Sequence, residues 1–330
     1  MNRFLLYLWV PFVFGFMTGC IYSISVYSYI SNGAVFRAFS IGEKKTALVW
    51  LVENRPFTEV LSMLRNMYPT QDPATHSIGH LLGDVAYERH GNKAFGMCDL
   101  IFNFGCYHGV VDSAVRKHGV DTSIVLDLYQ ACEGSMDNTA PCIHPLGHAS
   151  AIVSNYSLPE AFALCDRLFP DEHIAIDCWD GVMMEYINRS APNAPAIPYG
   201  DVSDPSAPCD SVASKYQASC VSAHTSYLIH IWGHDYDRVL SFCLSFPNDG
   251  VVNRCVDATG SLIAQQYFDT PEAIFPLCEY AFSKKGWCVM GSIVPFLAAD
   301  NDTQADDLCG LLTSEDRKRC TQRIRTFQKQ

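Results

Sequence analysis

The sequence predicts an all-α fold: an array of helical hairpins, each stapled by its own disulfide, behind one N-terminal transmembrane helix. Three observations carry that expectation. Of the 15 cysteines, 14 fall into successive close pairs at a nearly constant period. The text between them alternates apolar helical stretches with Pro, Gly, Asn and Asp turns. Residues 4–30 are apolar and carry no charge.

At 330 residues and 48% apolar composition, the chain is long enough for a full core in one large domain or two modest ones. The net charge is −12, from 35 acidic and 23 basic residues. Nucleic acid is therefore not an expected partner, because phosphate binding needs clustered Lys and Arg.

Taken in order, residues 1–3 read as a short cytoplasmic N-terminus and 4–30 as a signal anchor, since about 20 apolar residues span a bilayer. Met17-Thr18-Gly19-Cys20 weakly resembles a lipoprotein cleavage box, which gives a lipid-anchored Cys20 as the second reading. The residues after Cys20 stay apolar, which favours the uncleaved anchor. Arg37, Lys44 and Lys45 follow the span and only Arg3 precedes it, so charge alone puts the rest of the chain in the cytoplasm. The cysteines point the opposite way and are weighted more: the soluble part is expected outside the cytoplasm, in periplasm, lumen or at the cell surface.

Residues 31–60 read as a juxtamembrane segment, leading into a helix near 46–66 and a turn at Tyr68-Pro-Thr-Gln-Asp-Pro-Ala74. The repeat domain is assigned to 61–330. His76 to Glu88, ended by Gly91, is a helix without a cysteine, the atypical unit that caps an array. The cysteine pairs that follow are 98/106, 132/142, 165/178, 209/220, 243/255, 278/288 and 309/320, and their first members lie 34, 33, 44, 34, 35 and 31 residues apart. No CxxC spacing occurs, so redox and zinc-ribbon sites are not indicated. Free buried cysteines in a helical repeat are the competing reading. Cys165, Cys243, Cys278 and Cys309 each end a first helix, and Cys106, Cys178 and Cys288 each open a second. A disulfide there staples a tight hairpin and contributes about 2–3 kcal/mol in the chain-entropy model. The array can run as an α-solenoid or close into an α/α toroid. Its period is similar to that of TPR-like and Sel1-like solenoids, whose signature residues are not present.

The long interval holds a Pro-rich stretch, 191–208, with five prolines that forbid a regular helix. It reads as a surface insertion or as a flap over a site. Asn155, Asn188 and Asn301 begin N-glycosylation triplets, which matter only in a eukaryotic host.

The chemistry-bearing pattern lies on the second helices. Counted from the opening cysteine, positions +2 and +6 are His108 and Asp112, then His144 and His148, then Asp180 and Met184, with Glu185 beside the last. With Ala74 at the cysteine position, the capping unit supplies His76 and His80. Side chains four apart share one helix face, and stacked helices about 10 Å apart bring such faces within reach of one another. Later hairpins carry Ser222, Asp257, Met290 and Gln322 at +2. The expected metal ligands are thus His76, His80, His108, Asp112, His144, His148 and Asp180, for a transition metal ion such as Zn, Fe or Cu. Asp180 and Glu185 are the candidate catalytic carboxylates. His230-Ile-Trp-Gly-His234 is out of register and ranks as a secondary contributor. The zinc-protease helix motif, P-loop, Rossmann fingerprint, haem CxxCH and Gly-x-Ser-x-Gly are all absent.

The function these residues predict is a membrane-anchored, extracytoplasmic repeat protein that holds a transition metal on a concave His/Asp face, with hydrolytic or oxidative use open. The alternative is a metal-free module that binds a protein or peptide partner on that face, its histidines serving as caps or packing residues.

Overall fold

The computed structural model describes residues 32–68, 73–99, 102, 104–119, 121–135, 140–188, 206–207, 209–299 and 301–327. The expected anchor 4–30 with Cys20 lies outside them, as does the expected flap, except for 206 and 207. Among the described residues every regular element is helical, and no helix is long and apolar enough to cross a membrane. The chain divides into two compact units, residues 1–69 and 70–330.

The first unit holds α1 (Gly33–Ala38), α2 (Ile41–Asn54) and α3 (Phe57–Met67). Ser40 and Glu43 form a capping box at the start of α2, satisfying two otherwise orphan N–H groups. The helix expected near 46–66 breaks at Arg55-Pro56, because proline cannot donate the hydrogen bond that would continue α2. Arg37 then ties α1 to α3 by donating to the Met67 carbonyl at 2.6 Å.

The second unit begins with α4 (Pro73–His90), followed by a short 3-10 helix, Gly91–Met97. Then come α5 (Gly105–His118), α6 (Ser123–Ser135), α7 (Ala140–Val153), α8 (Leu158–Leu168) and α9 (Glu172–Asn188). Its remainder is α10 (Gln217–Ile231), α11 (Tyr236–Leu244), α12 (Asp249–Gln266), α13 (Ile274–Cys278), α14 (Lys285–Ala298), α15 (Asp302–Gly310) and α16 (Ser314–Phe327).

All seven disulfides join neighbouring cysteines as the spacing predicts: 98–106, 132–142, 165–178, 209–220, 243–255, 278–288 and 309–320. Their Cα atoms lie between 5.4 and 6.3 Å apart, so each hairpin is closed at its turn without stretching the backbone. The second cysteine of each pair sits inside α5, α7, α9, α10, α12, α14 or α16. Together with α4, these helices pack consecutively along the chain.

Three neighbouring pairs in this row approach far more closely than the rest: α4/α5, α7/α9 and α12/α14. Glycine makes that approach possible. A Cβ at Gly147 would lie 2.0 Å from the Cys178 carbonyl oxygen, and one at Gly181 would lie 2.0 Å from that of His144. The same reciprocal contact recurs between Gly260 and Cys288 and between Gly291 and Asp257, at 1.9 and 1.8 Å. In the first pair it links Gly83 to Cys106 and Gly109 to His80, at 1.9 and 2.0 Å. Backbones this close leave no room for any side chain at the crossing.

These contacts also fix the register of the capping helix. Gly83 stands where Gly147 and Gly260 stand, and His80 where His144 and Asp257 stand. The cysteine position of α4 is therefore Ile78, one turn beyond Ala74. His80 occupies +2, Asp84 occupies +6, and His76 lies one turn before the register.

Candidate metal centre

Five imidazoles converge where α4, α5 and α7 meet. His76 and His80 come from α4, His108 from α5, and His144 and His148 from α7. The His108 ring lies 5.2 Å, centroid to centroid, from both His76 and His80, 5.4 Å from His144 and 4.7 Å from His148. Within each helix the two rings are 4.7 Å apart for His76 and His80 and 5.1 Å apart for His144 and His148.

The four outer rings are oriented by oxygen atoms behind them. His76 Nδ1 meets the Phe102 carbonyl oxygen at 3.0 Å. His80 Nδ1 meets the Asp112 carboxylate at 3.0 Å. His148 Nδ1 meets the Glu185 carboxylate at 3.2 Å, and the His144 ring bonds the backbone of Asp177. Carbonyls and carboxylates only accept, so Nδ1 of His76, His80 and His148 must carry the proton. In a neutral ring that leaves Nε2 as a bare lone pair, the arrangement typical of metal-bound histidine.

Those lone pairs face each other. His76 Nε2 and His80 Nε2 are 3.0 Å apart, and His144 Nε2 and His148 Nε2 are 3.3 Å apart. Two lone pairs at such distances need a cation between them. Two ligands about 2.0–2.1 Å from a tetrahedral metal lie about 3.3 Å from each other, so the spacing fits chelation of one ion by each pair.

Burial drives the His108 ring well below the usual histidine range, and the four neighbouring histidines add to the effect. Burial likewise lowers His144 to about 3, with His148 and Arg254 contributing. Both rings are neutral at ordinary pH.

His108 stands apart from the other four. It is 5% exposed, and its buried Nε2 has no hydrogen-bond partner among the described residues. The donor atoms fall into two groups of three, His76/His80/His108 and His108/His144/His148, each lying within 4.8 Å of one another. His108 belongs to both.

Asp112 and Asp180, expected as ligands, and Glu185, a candidate catalytic carboxylate, lie outside both groups of donors. Asp112 and Glu185 stand behind His80 and His148 as orienting partners. Asp180 is paired with Arg254 of α12. Burial pushes its carboxyl up, and the guanidinium pulls in the opposite direction. His230 and His234 are exposed at and just beyond the end of α10 and lie in neither group.

Several contributors were invisible in the sequence. Tyr156 donates to the second oxygen of Glu185 at 2.9 Å, from a turn where its φ is 61°. Phe102 supplies its carbonyl from another left-handed residue, φ 60°. Both are irregular backbone positions, and no periodicity marks them.

The two groups differ in their contact with solvent. The side chains of His80 and Asp112 are 32% and 19% exposed, whereas those of His148 and Glu185 are 9% and 0%. Solvent thus reaches the α4/α5 side of the cluster more readily than the α7/α9 side.

No family model matches the chain, and neither curated proteins nor solved structures supply a match.

Proposed function

We propose that this chain is an extracytoplasmic, disulfide-stapled helical-repeat protein that binds a transition metal on His76, His80, His108, His144 and His148. The observation that carries the reading is the pair of facing Nε2 contacts, 3.0 and 3.3 Å, made by rings of which three have Nδ1 held by an oxygen acceptor. Neutral imidazole donors without thiolate suit zinc, copper or iron. In this reading Asp112 and Glu185 act from behind the ligands, raising their basicity and holding their tautomers. Asp180 belongs to the neighbouring ion pair with Arg254. Seven disulfides suit an oxidising compartment, and the apolar run 4–30 would hold the chain at a membrane. Hydrolytic or oxidative use of the ion is the natural extension, because a bound metal activates water or dioxygen.

The test is elemental analysis of full-length protein purified without a polyhistidine tag. Stoichiometric metal is expected, together with a melting temperature that falls on chelation. The double variant His144→Ala/His148→Ala should lose metal while keeping its helical circular dichroism. Metal-free protein that is indifferent to chelator and to added metal would overturn the reading in favour of a metal-free interaction module.

A further inference from the structure

The five histidines cannot all serve one ion. Ligands about 2.0–2.1 Å from a common metal lie at most about 4.2 Å apart, even when trans. Yet the donors separate into two groups of three, and no ring of α4 makes a close contact with a ring of α7 comparable to those each makes with His108. The cluster therefore offers two positions, one on each side of His108.

His108 is built differently from its neighbours in a way that matters here. Each of the other four has its ring tied to an oxygen acceptor, which leaves one nitrogen for a ligand role. The Nε2 of His108, by contrast, is fully buried and has no hydrogen-bond partner among the described residues. A buried polar atom without a partner is costly, and His108 is almost entirely enclosed.

We infer that His108 is a bridging ligand: its two ring nitrogens bind two transition-metal ions, one completed by His76 and His80, the other by His144 and His148. This deepens the metal-binding reading and rests on it. As the second ion binds, the remaining ring N–H bond of His108 breaks. The nitrogen lone pair forms the new metal bond and the proton leaves to solvent. No oxidant or reductant is required.

Each ion then has three imidazole nitrogens. The α4/α5 position is the one nearer solvent, as the exposure of His80 and Asp112 indicates, and it is where an added water or substrate would coordinate.

Copper(II) tests the bridge, because an imidazolate between two copper ions couples their unpaired spins. Full-length protein titrated with Cu(II) should take up two ions per chain, and its electron paramagnetic resonance spectrum should become that of a coupled pair with a half-field transition. Replacing one Cu(II) by Zn(II) should restore an ordinary single-copper signal. His80→Ala leaves the second group intact and should bind one ion with no coupling. It guards against the chance that His108→Ala, which should also abolish coupling, fails to fold. Two coppers with independent, additive spectra would overturn the bridge while leaving metal binding intact, and so would a limit of one ion per chain. No copper or zinc uptake at all would instead overturn the metal-binding reading on which the bridge rests.

Discussion

The α7/α9 and α12/α14 pairs have the same backbone crossing and different side chains at its centre. In both, a glycine five residues after one cysteine meets the carbonyl of the opposing cysteine, and the opposing glycine meets the carbonyl at +2. In α7 the +2 residue is His144, pointing into the imidazole cluster. In α12 it is Asp257, bound by Arg323 of α16. The glycine contact is therefore the architectural constant. Histidine at +2 is not needed to build the crossing, so its presence in the first two tight pairs calls for a different cause. The pairs of histidines are not even equivalent: α4 uses −2 and +2, while α7 uses +2 and +6. Rings that converge from non-equivalent positions are poorly explained by repeat ancestry alone.

Gly181→Ala and Gly291→Ala offer the largest perturbation that separates the two pairs. Each sets a methyl about a bond length too close to a backbone oxygen and should cost about 3 kcal/mol. Both should lower the melting temperature of metal-free protein. Only Gly181→Ala, which displaces His144 itself, should also weaken metal binding in a competition titration. Equal loss of metal in both variants would break the comparison.

Acid should separate the two regions next. His144 and His108 have folded-state values below the unfolded one, so the unfolded chain binds more protons and stability is lost as pH falls below about 6.5. With a folded value of about 3, His144 alone should remove about 2 kcal/mol between pH 6.5 and 5. His108 acts in the same direction. Native-state hydrogen exchange of metal-free protein should show α4, α5 and α7 losing protection over that range while α12, α14 and α16 keep theirs. Uniform loss would show that the histidine cluster is not the acid-labile part.

A third comparison lies within the cluster. Glu185→Gln should weaken metal binding about 10–100-fold, the usual range for an orienting partner of a metal-bound histidine. Asp112→Asn should do less, since solvent reaches the His80–Asp112 pair and screens it. A larger effect from Asp112 would reverse that order. The smallest effect belongs to Asp257→Asn, which loosens one partly exposed ion pair. It should cost about 1 kcal/mol in a denaturant melt and leave metal affinity unchanged.

Much of this was legible before any coordinates. Cysteines 8 to 13 residues apart at a regular period pointed to pairing within each hairpin, while the connectivity itself came from the structure. Recurrence of histidine on one face singled out the five ring-bearing positions. The break at Pro56 was missed because the apolar periodicity runs through it, and the prolyl ring overrode that pattern.

What the sequence determined by itself is local: helix, turn, staple, and the set of residues sharing a face. Where Asp112, Asp180 and Glu185 sit relative to the imidazoles was decided only in the tertiary structure. So was the placement of α4 one turn along, with Ile78 rather than Ala74 at the cysteine position. The reason is physical. A helix face is fixed by 3.6-residue geometry within one element, whereas the depth at which two helices meet depends on where both backbones are bare. Gly83 and Gly109 set that depth for the first pair and Gly147 and Gly181 for the second, and the depth decides which atoms His80 and His144 can reach.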